Sequence, residues 1–488
     1  MKNPNLYLPG FHLATLRRKP RSARQKLADQ LAEIRRKSIG QLAGCFADFI
    51  PGETLQPSQT GAQSRRRLFS KENTFWGFFS QILNADGGCA ETVRQFHAFA
   101  ANRSLTLPSS STSAYCQARS KLKEADLENI QAHTSKQLIL RGTDQGLQSR
   151  RVVVVDGTGI SMPDTPENQR VWPQTRQQKP GCGFPQAYIC ACFNLRSGAL
   201  LSYELGNKKS HELLMLREQW DTFNPGDIFL GDKGFCSYYD VFKLIDRDVD
   251  SVITLGKRKL VTPKDADKIL GEDDLLIHWP RPKWTKHLSY SKDEWSALPA
   301  KLVLRQIKVN VKDPGFRTQS FHIITTLTDS SIYSAKAIAD LYFQRWDIEL
   351  FFRDIKTTMG MDILRCKSPS MIRKELLMYF IVYNCLRLLM LKAADKADLP
   401  VRLISFKASV QALRQWEPLL KSQLSTQEQM RLLSLLCDSI ATSVIRTRPS
   451  RREPRCVKRR PKNYQRMTKP RHEMQETPHR SKYLANSA

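Results

Sequence analysis

No C-x2-C pair occurs anywhere in the 488 residues. Cys190 and Cys192 form a C-x-C, but no second pair at ligand spacing completes a zinc site. On a strand of period two both thiols point to one face, as small core residues do. The 11 cysteines are odd in number and scattered, a pattern that fits a reduced, cytoplasmic protein. The N-terminus lacks a continuous apolar stretch, so no secretory leader is expected. The most apolar run, residues 376–386, is too short to span a bilayer and is followed by Arg387. It is expected to be a buried helix. Acidic residues are also scarce, 47 against 77 Lys and Arg, for a net charge of +30 and a pI near 9.8. Such a balance points to a polyanionic partner. Nucleic acid leads, and an anionic membrane surface is the rival. The length sets a prior of about three domains.

Along the chain, residues 1–48 are basic and helix-prone, with Arg17, Arg18, Lys19, Arg21, Arg24 and Lys26, then Arg35, Arg36 and Lys37. The segment reads as a solubilising arm or a DNA-contacting one. Residues 70–145 read as helical. Within them, 91–102 and 113–122 form a candidate helix-turn-helix pair whose second helix offers Ser113, Tyr115, Gln117, Arg119 and Lys121. Such pairs occur in any helical domain.

The pattern changes at Arg151. Val152-Val153-Val154-Val155 predicts a strand buried on both faces, running into Asp156-Gly157-Thr158. Strands over 187–194 and 199–204 follow, joined by a turn at Leu195-Arg196-Ser197-Gly198. Helices are expected over 211–220 and 239–246, and strands over 227–230 and 251–255. The order is β-β-β-α-β-α-β, a mixed α/β layer. Residues 257–320 read as a mainly β insertion, with Ile307, Val309 and Val311 alternating with polar neighbours. Residues 371–443 look all-helical. From Ile445 onward the chain holds 14 Lys/Arg against 3 Glu, with several prolines, and reads as a disordered basic tail. The divisions are therefore 1–145 (helical, basic, DNA-binding), 146–256 with 321–370 (catalytic core), 257–320 (β-rich insertion), 371–444 (helical) and 445–488 (tail).

The densest clue is a helical stretch over 335–359, capped by Ser334 and ended by Gly360. It carries Tyr342, Arg345, Glu349 and Lys356 in the spacing Y-x2-R-x3-E-x6-K. At about 100° per residue these fall within roughly 60° of one another, on a stripe about 21 Å long. Polar stripes are usually solvated faces. This one borders an apolar stripe of Leu341, Ile348, Phe352 and Ile355, so it is expected at the edge of a core.

Two aspartates stand at predicted strand ends, Asp156 before Gly157 and Asp232 before Lys233-Gly234. Each alone is more often a turn than a site. Together with Glu349, in a basic protein, they suit two divalent ions. Phosphodiester chemistry needs an activated oxygen nucleophile and a stabilised leaving oxygen, and two Mg²⁺ about 4 Å apart serve both. Mg²⁺ prefers carboxylate oxygen and water. Arg345 and Lys356 are then placed to hold a phosphate backbone.

With these residues the chain resembles the DDE transposases of bacterial insertion sequences, in the insertion sequence four family, which a Y-R-E-K signature marks. Tyr342, Arg345, Glu349 and Lys356 match it at every spacing, Val-Asp156-Gly-Thr resembles the first aspartate motif and Gly-Asp232-Lys-Gly-Phe the second. The resemblance covers roughly residues 90–390. It implies an α/β, ribonuclease-H-like core with a β-rich insertion, flanked by helical regions. It implies Asp156, Asp232 and Glu349 as catalytic ligands of two Mg²⁺ or Mn²⁺, and DNA-backbone contacts from Tyr342, Arg345 and Lys356. It implies cut-and-paste transposition: strand cleavage by water, a hairpin formed and reopened, and joining of the 3′ end to target. The implied partners are double-stranded DNA, as inverted-repeat ends and target, and a second copy of the chain in a dimer or larger assembly. The implied location is the bacterial cytoplasm at the nucleoid, without a membrane. A base-stacking tryptophan in the insertion is implied as well. Trp279, Trp284 and Trp295 are the candidates, each with core packing as the plainer role. His211, at a helix start, and Trp346, just off the stripe, read as structural. The rival readings are a metal-dependent nuclease or resolvase on the same fold, and a catalytically inactive DNA-binding relative.

Overall fold

The computed structural model describes residues 46, 49–57, 61, 68–102, 107–141, 147–207, 210–256, 260–285, 290–311, 320–420, 426–445 and 467–475. Nearly all of the basic segment 1–48, Lys208, Lys209 and most of the basic tail lie outside the described residues. The chain divides into two compact units, Met1–Ile130 with Val410–Leu436, and Gln131–Ser409 with Cys437–Ala488.

In the first unit, α1 (Lys71–Leu83) starts at Ser70, whose hydroxyl accepts the Asn73 N–H at 3.1 Å. Every residue from Asn73 to Leu83 is buried, including Phe75, Trp76, Phe78 and Phe79. A helix buried all round is a core helix rather than an amphipathic one. Next come α2 (Cys89–Asn102) and α3 (Ser113–Ser120), and the division between the units falls within α4 (Glu124–Arg141). Phe96 of α2 approaches α1 at Gly77, where a Cβ would stand 3.1 Å from its ring. The helix-turn-helix expectation changes here. Tyr115 and Arg119 are buried, and both donate to Gln81 Oε1, at 2.9 and 3.0 Å. Of the five side chains offered by α3 and its end, Ser113, Gln117 and Lys121 are exposed. The sequence pattern did not reveal that the two largest groups are tied to a core glutamine.

The second unit is built on a nine-stranded sheet. Its first part runs β1 (Val152–Ser161), α5 (Pro166–Val171), β2 (Gln186–Asn194), β3 (Leu200–Asn207), α6 (Glu212–Arg217), β4 (Ile228–Gly231), α7 (Tyr238–Ile245) and β5 (Asp250–Leu255). The spatial order is β3-β2-β1-β4-β5, with β1, β4 and β5 parallel and β2 antiparallel to both neighbours. This is the ribonuclease-H-like α/β core. Val152 to Val155 are each at most 2% exposed, as a strand covered on both faces requires. β1 does not stop at Asp156, however. Its parallel ladder with β4 ends at Val154↔Leu230, while its antiparallel ladder with β2 continues to Ser161↔Gln186. Asp156 therefore sits within a strand, at the point where one neighbour is lost.

The chain between β5 and the Tyr342 helix adds β6 (Lys268–Gly271), β7 (Asp274–Pro280), α8 (Lys292–Ser296), β8 (Lys301–Asn310) and β9 (Ser320–Thr325). These strands continue the same sheet, because β9 pairs antiparallel with β5 and leads outward through β8 and β7 to β6. A buried ion pair, Arg305 Nε to Asp274 Oδ1 at 2.8 Å, ties β8 to β7.

The helical stretch after β9 is segmented. α9 (Ala335–Phe343) is capped by Ser334 on the Ala337 N–H at 3.2 Å. A 3-10 turn (Gln344–Trp346), α10 (Asp347–Arg353) and a π-helical turn (Asp354–Thr358) follow, and Gly360 at φ +90° ends the run. Leu341, Ile348, Phe352 and Ile355 are buried as expected. Phe351 and Phe352 pack against Phe193 of β2, at 5.5 and 5.4 Å between ring centroids.

α11 (Pro369–Lys396) is longer than its apolar run suggests. It is long and apolar enough to cross a membrane by length and composition, yet 94% of its most apolar 18-residue window is buried in protein. Its Asn384 accepts the Leu200 N–H at 3.0 Å and donates to Leu200 O at 3.1 Å, fastening the helix to the start of β3. Gly198, at φ +67°, lies where a Cβ would meet the Arg387 guanidinium at 2.3 Å. Both conformation and space therefore require glycine there. α12 (Phe406–Leu420) and α13 (Thr426–Ala441) complete the helices.

Candidate active site

Asp156 and Asp232 each lie two residues beyond Val154↔Leu230, the last parallel pair of β1 and β4. Adjacent parallel strands in register thus deliver both carboxylates to one end of the sheet. Each aspartate settles one oxygen on the backbone. Asp156 Oδ1 accepts the Gly157 N–H and Asp232 Oδ1 the Gly234 N–H, both at 2.7 Å. Asp232 also caps a 3-10 turn over Lys233–Phe235. Glu349 comes from α10 and is exposed. Burial pushes the Asp156 carboxyl above its ordinary range, and the like charges of Asp232 and Glu349 add to this. The Gly157 N–H and the Arg345 charge oppose it. Asp232 and Glu349 thus both bear on Asp156.

The other residues of the stripe reach different strands. Tyr342 is buried and donates to Thr254 Oγ1 of β5 at 3.1 Å. Arg345 is buried, with Nη1 3.5 Å from Asp156 Oδ2. Its Nε is buried without a hydrogen-bond partner among the described residues. Lys356 is half-buried and donates to Thr158 Oγ1 of β1 at 2.9 Å. Burial lowers its ammonium from the ordinary lysine value, with Asp362 opposing. The uniform stripe is thus interrupted by a 3-10 turn before Glu349 and a π turn around Lys356.

One carboxylate in this neighbourhood was not read from the sequence. Glu212, the first residue of α6, is half-buried, and its carboxyl is pushed up by burial and then by the charges of Asp156 and Asp232. The available signal was an acidic residue opening the helix after β3, too common to single out. His211 beside it caps α6, its Nδ1 accepting the Leu213 N–H at 3.3 Å. Trp279 and Trp295 are buried, while Trp284 is 36% exposed, with Nε1 donating to Tyr290 O at 3.0 Å. Trp346 departs from the packing role expected of it. It is 50% exposed and lies under the Arg345 guanidinium, 5.3 Å from ring centroid to Cζ. Cys190 and Cys192 are buried on β2, and burial pushes the Cys192 thiol up to about 12.

The donor set is all carboxylate, which suits a hard dication in kind and in charge. Among the described residues no three His, Cys, Asp or Glu side chains form a ready metal cage.

This sheet end, with its carboxylates and the Tyr342–Lys356 helix, lies in a stretch of the chain that is a transposase DDE domain. The family described as Transposase DDE domain matches residues 147–385. More particularly, the chain is similar to a transposase of insertion sequence element IS4. It is 28% identical over 323 residues to the transposase InsG for insertion sequence element IS4 of Escherichia coli (strain K12), covering 64% of this chain and 69% of that protein. It is 32% identical over 91 residues to a probable transposase for insertion sequence element IS5377 of Geobacillus stearothermophilus, covering 19% of this chain and 24% of that one. The cryo-EM structure of the piggyBac transposase synaptic complex with hairpin DNA is similar at a TM-score of 0.41 and 11% identity, over 81% of this chain and 85% of that one.

Proposed function

We propose that this chain catalyses cut-and-paste transposition of an insertion sequence, by metal-dependent strand cleavage and strand transfer through a hairpin intermediate. The observation that carries this reading is that β1 and β4 deliver Asp156 and Asp232 to one sheet end, with the buried Arg345 3.5 Å from Asp156. Asp156, Asp232 and Glu349 would hold two Mg²⁺ or Mn²⁺. When bound, such ions activate an oxygen nucleophile and stabilise the leaving oxygen of an in-line displacement. The chain's own residues supply the rest. The Gly157 and Gly234 N–H groups fix one oxygen of each aspartate and leave the other, which at Asp156 faces Arg345, to meet a ligand. The unpaired Arg345 Nε offers a donor to a phosphate oxygen, and the Lys356 ammonium a point charge. Tyr342, Arg345 and Lys356 thereby hold the DNA end while the phosphorus is attacked. In the first cut a water oxygen bonds to phosphorus as the P–O3′ bond breaks, leaving a 3′ hydroxyl and a 5′ phosphate. That hydroxyl attacks a phosphorus of the opposite strand, closing the hairpin and displacing the 3′ oxygen of the flanking DNA; water then attacks the hairpin phosphorus and releases the 3′ hydroxyl again, which attacks a target phosphorus and displaces a target 3′ oxygen. Two or more copies act on paired inverted-repeat ends.

A strand-transfer assay with pre-cut ends and a target plasmid tests this. Wild type is expected to join ends in Mg²⁺ or Mn²⁺. Glu349→Gln is expected to lose at least about 10²-fold in cleavage and joining, since metal stabilisation contributes several kcal/mol. Cleavage without joining would indicate the nuclease reading, and unchanged cleavage by Glu349→Gln would remove the site assignment.

A further inference from the structure

Glu212 has no place in the three-carboxylate scheme, yet its side chain lies against both aspartate motifs. A Cβ on Gly157 would stand 2.2 Å from Glu212 Oε1, so this carboxylate fills the space a side chain after Asp156 would need. A Cβ on Gly234 would stand 3.7 Å from Glu212 Oε2 and 2.9 Å from Asp232 Oδ1. One oxygen therefore faces each motif. Among the described residues Glu212 has neither an ion-pair nor a hydrogen-bond partner, whereas a structural glutamate this close to two aspartates would be anchored by a donor. A second observation points to a ligand at this place. The Arg345 side chain is 10% exposed, contacts Asp156 and keeps a buried Nε without an acceptor. The centre thus holds an excess of acceptors and an unmet donor, as a site for cations and a phosphate would.

We propose that Glu212 is a fourth carboxylate of the catalytic centre, sharing a divalent ion with Asp156 and Asp232. This rests on the metal-dependent reading above. The glycines at 157 and 234 follow from it, because side chains there would crowd the Glu212 carboxylate or the aspartate it faces. Glu212 comes from α6, outside both aspartate motifs and the Tyr342–Lys356 helix. It joins a third segment of the chain to the centre.

The test is Mn²⁺ binding to the full-length, DNA-free protein, by calorimetry and by the free-Mn²⁺ paramagnetic signal, with urea midpoints as a check on folding. Glu212→Gln is expected to weaken binding about tenfold or more, or to remove one ion. In metal-free buffer its urea midpoint should not fall, since a repelling charge is removed. Gly157→Ala is expected to give the same Mn²⁺ defect by displacing the Glu212 carboxylate. Gly159→Ala, whose Cβ would meet nothing nearer than 3.8 Å, should bind as wild type does. Asp156→Asn should lose binding. If Glu212→Gln and Gly157→Ala bind Mn²⁺ normally while Asp156→Asn does not, the fourth carboxylate is refuted and the three-carboxylate site stands. If Asp156→Asn also binds normally, the metal site itself is misplaced. Should Glu212→Gln fail to fold, Gly157→Ala decides the question.

Discussion

Arg345 stands between the two kinds of chemistry at this site. Its Nη1 lies 3.5 Å from Asp156 Oδ2, and its Nε is buried without a hydrogen-bond partner among the described residues. A guanidinium has donors in fixed directions, so satisfying the carboxylate leaves another N–H to be met by an incoming oxygen. Lys356 is different in kind, a half-buried ammonium already held by Thr158. As a point charge proposed to meet a phosphate, Lys356 predicts that Lys356→Ala weakens DNA-end binding similarly for all sequences. It should also make the log–log salt slope shallower by about one unit. Fluorescence anisotropy across a salt series measures this, and an unchanged slope would place Lys356 off the backbone.

At the scale of elements, the π-helical turn Asp354–Thr358 decides how the Glu349 helix meets the sheet. Such turns are frequent at functional sites, and this one carries Lys356 to Thr158 while it buries Asp354 and Ile355. Burial pushes the Asp354 carboxyl up to about 6, against the opposing charges of Arg387 and Arg353. The linkage sign follows. The folded-state value is above the ordinary value of about 3.9, so the folded protein holds this proton more tightly than the unfolded chain. Stability is therefore lost as pH rises from about 4 to 6, and the loss is complete above that window. At about 1.4 kcal/mol per unit, the ionised group costs up to about 3 kcal/mol at neutral pH. Asp354→Asn is expected to be more stable than wild type by about 2–3 kcal/mol at pH 7.5 and to converge with it near pH 4. Urea unfolding at both pH values checks this. A destabilised Asp354→Asn at pH 7.5 would mean that the carboxylate is held by the arginines after all.

Over the whole molecule, charge and topology divide the work. The nine-stranded sheet brings Asp156 and Asp232 together and carries the insertion strands outward from β5. The net charge of +30 is far more than Arg345 and Lys356 supply, and residues 445–488 hold 14 Lys/Arg against 3 Glu. Removing residues 446–488 is expected to reduce nonspecific DNA affinity, with end cleavage retained. The salt dependence should flatten by about 0.9 for each phosphate that the tail no longer neutralises. Filter binding at several salt concentrations, beside the cleavage assay, measures both. Loss of cleavage at low salt would assign the tail a direct part in the reaction.

The sequence by itself determined the pieces whose cause is local. The Val152–Val155 run, the Ser334 cap, the Gly360 stop and the apolar stripe of Leu341, Ile348, Phe352 and Ile355 follow from propensity and periodicity, and each stands as read. The order of the two aspartates and the Y-R-E-K spacing are likewise written in one dimension. What only the tertiary structure decided depends on residues distant in the chain. The continuation of β1 past Asp156 is set by β2, and the inward turn of Tyr115 and Arg119 by Gln81. Glu212 belongs to this second group. Nothing in its local sequence marks it, and only the fold brings a carboxylate from α6 against the glycine after Asp156, 55 residues earlier in the chain. Local pattern fixes which side chains an element presents; long-range pairing fixes which of them share a charge environment, and chemistry depends on the latter.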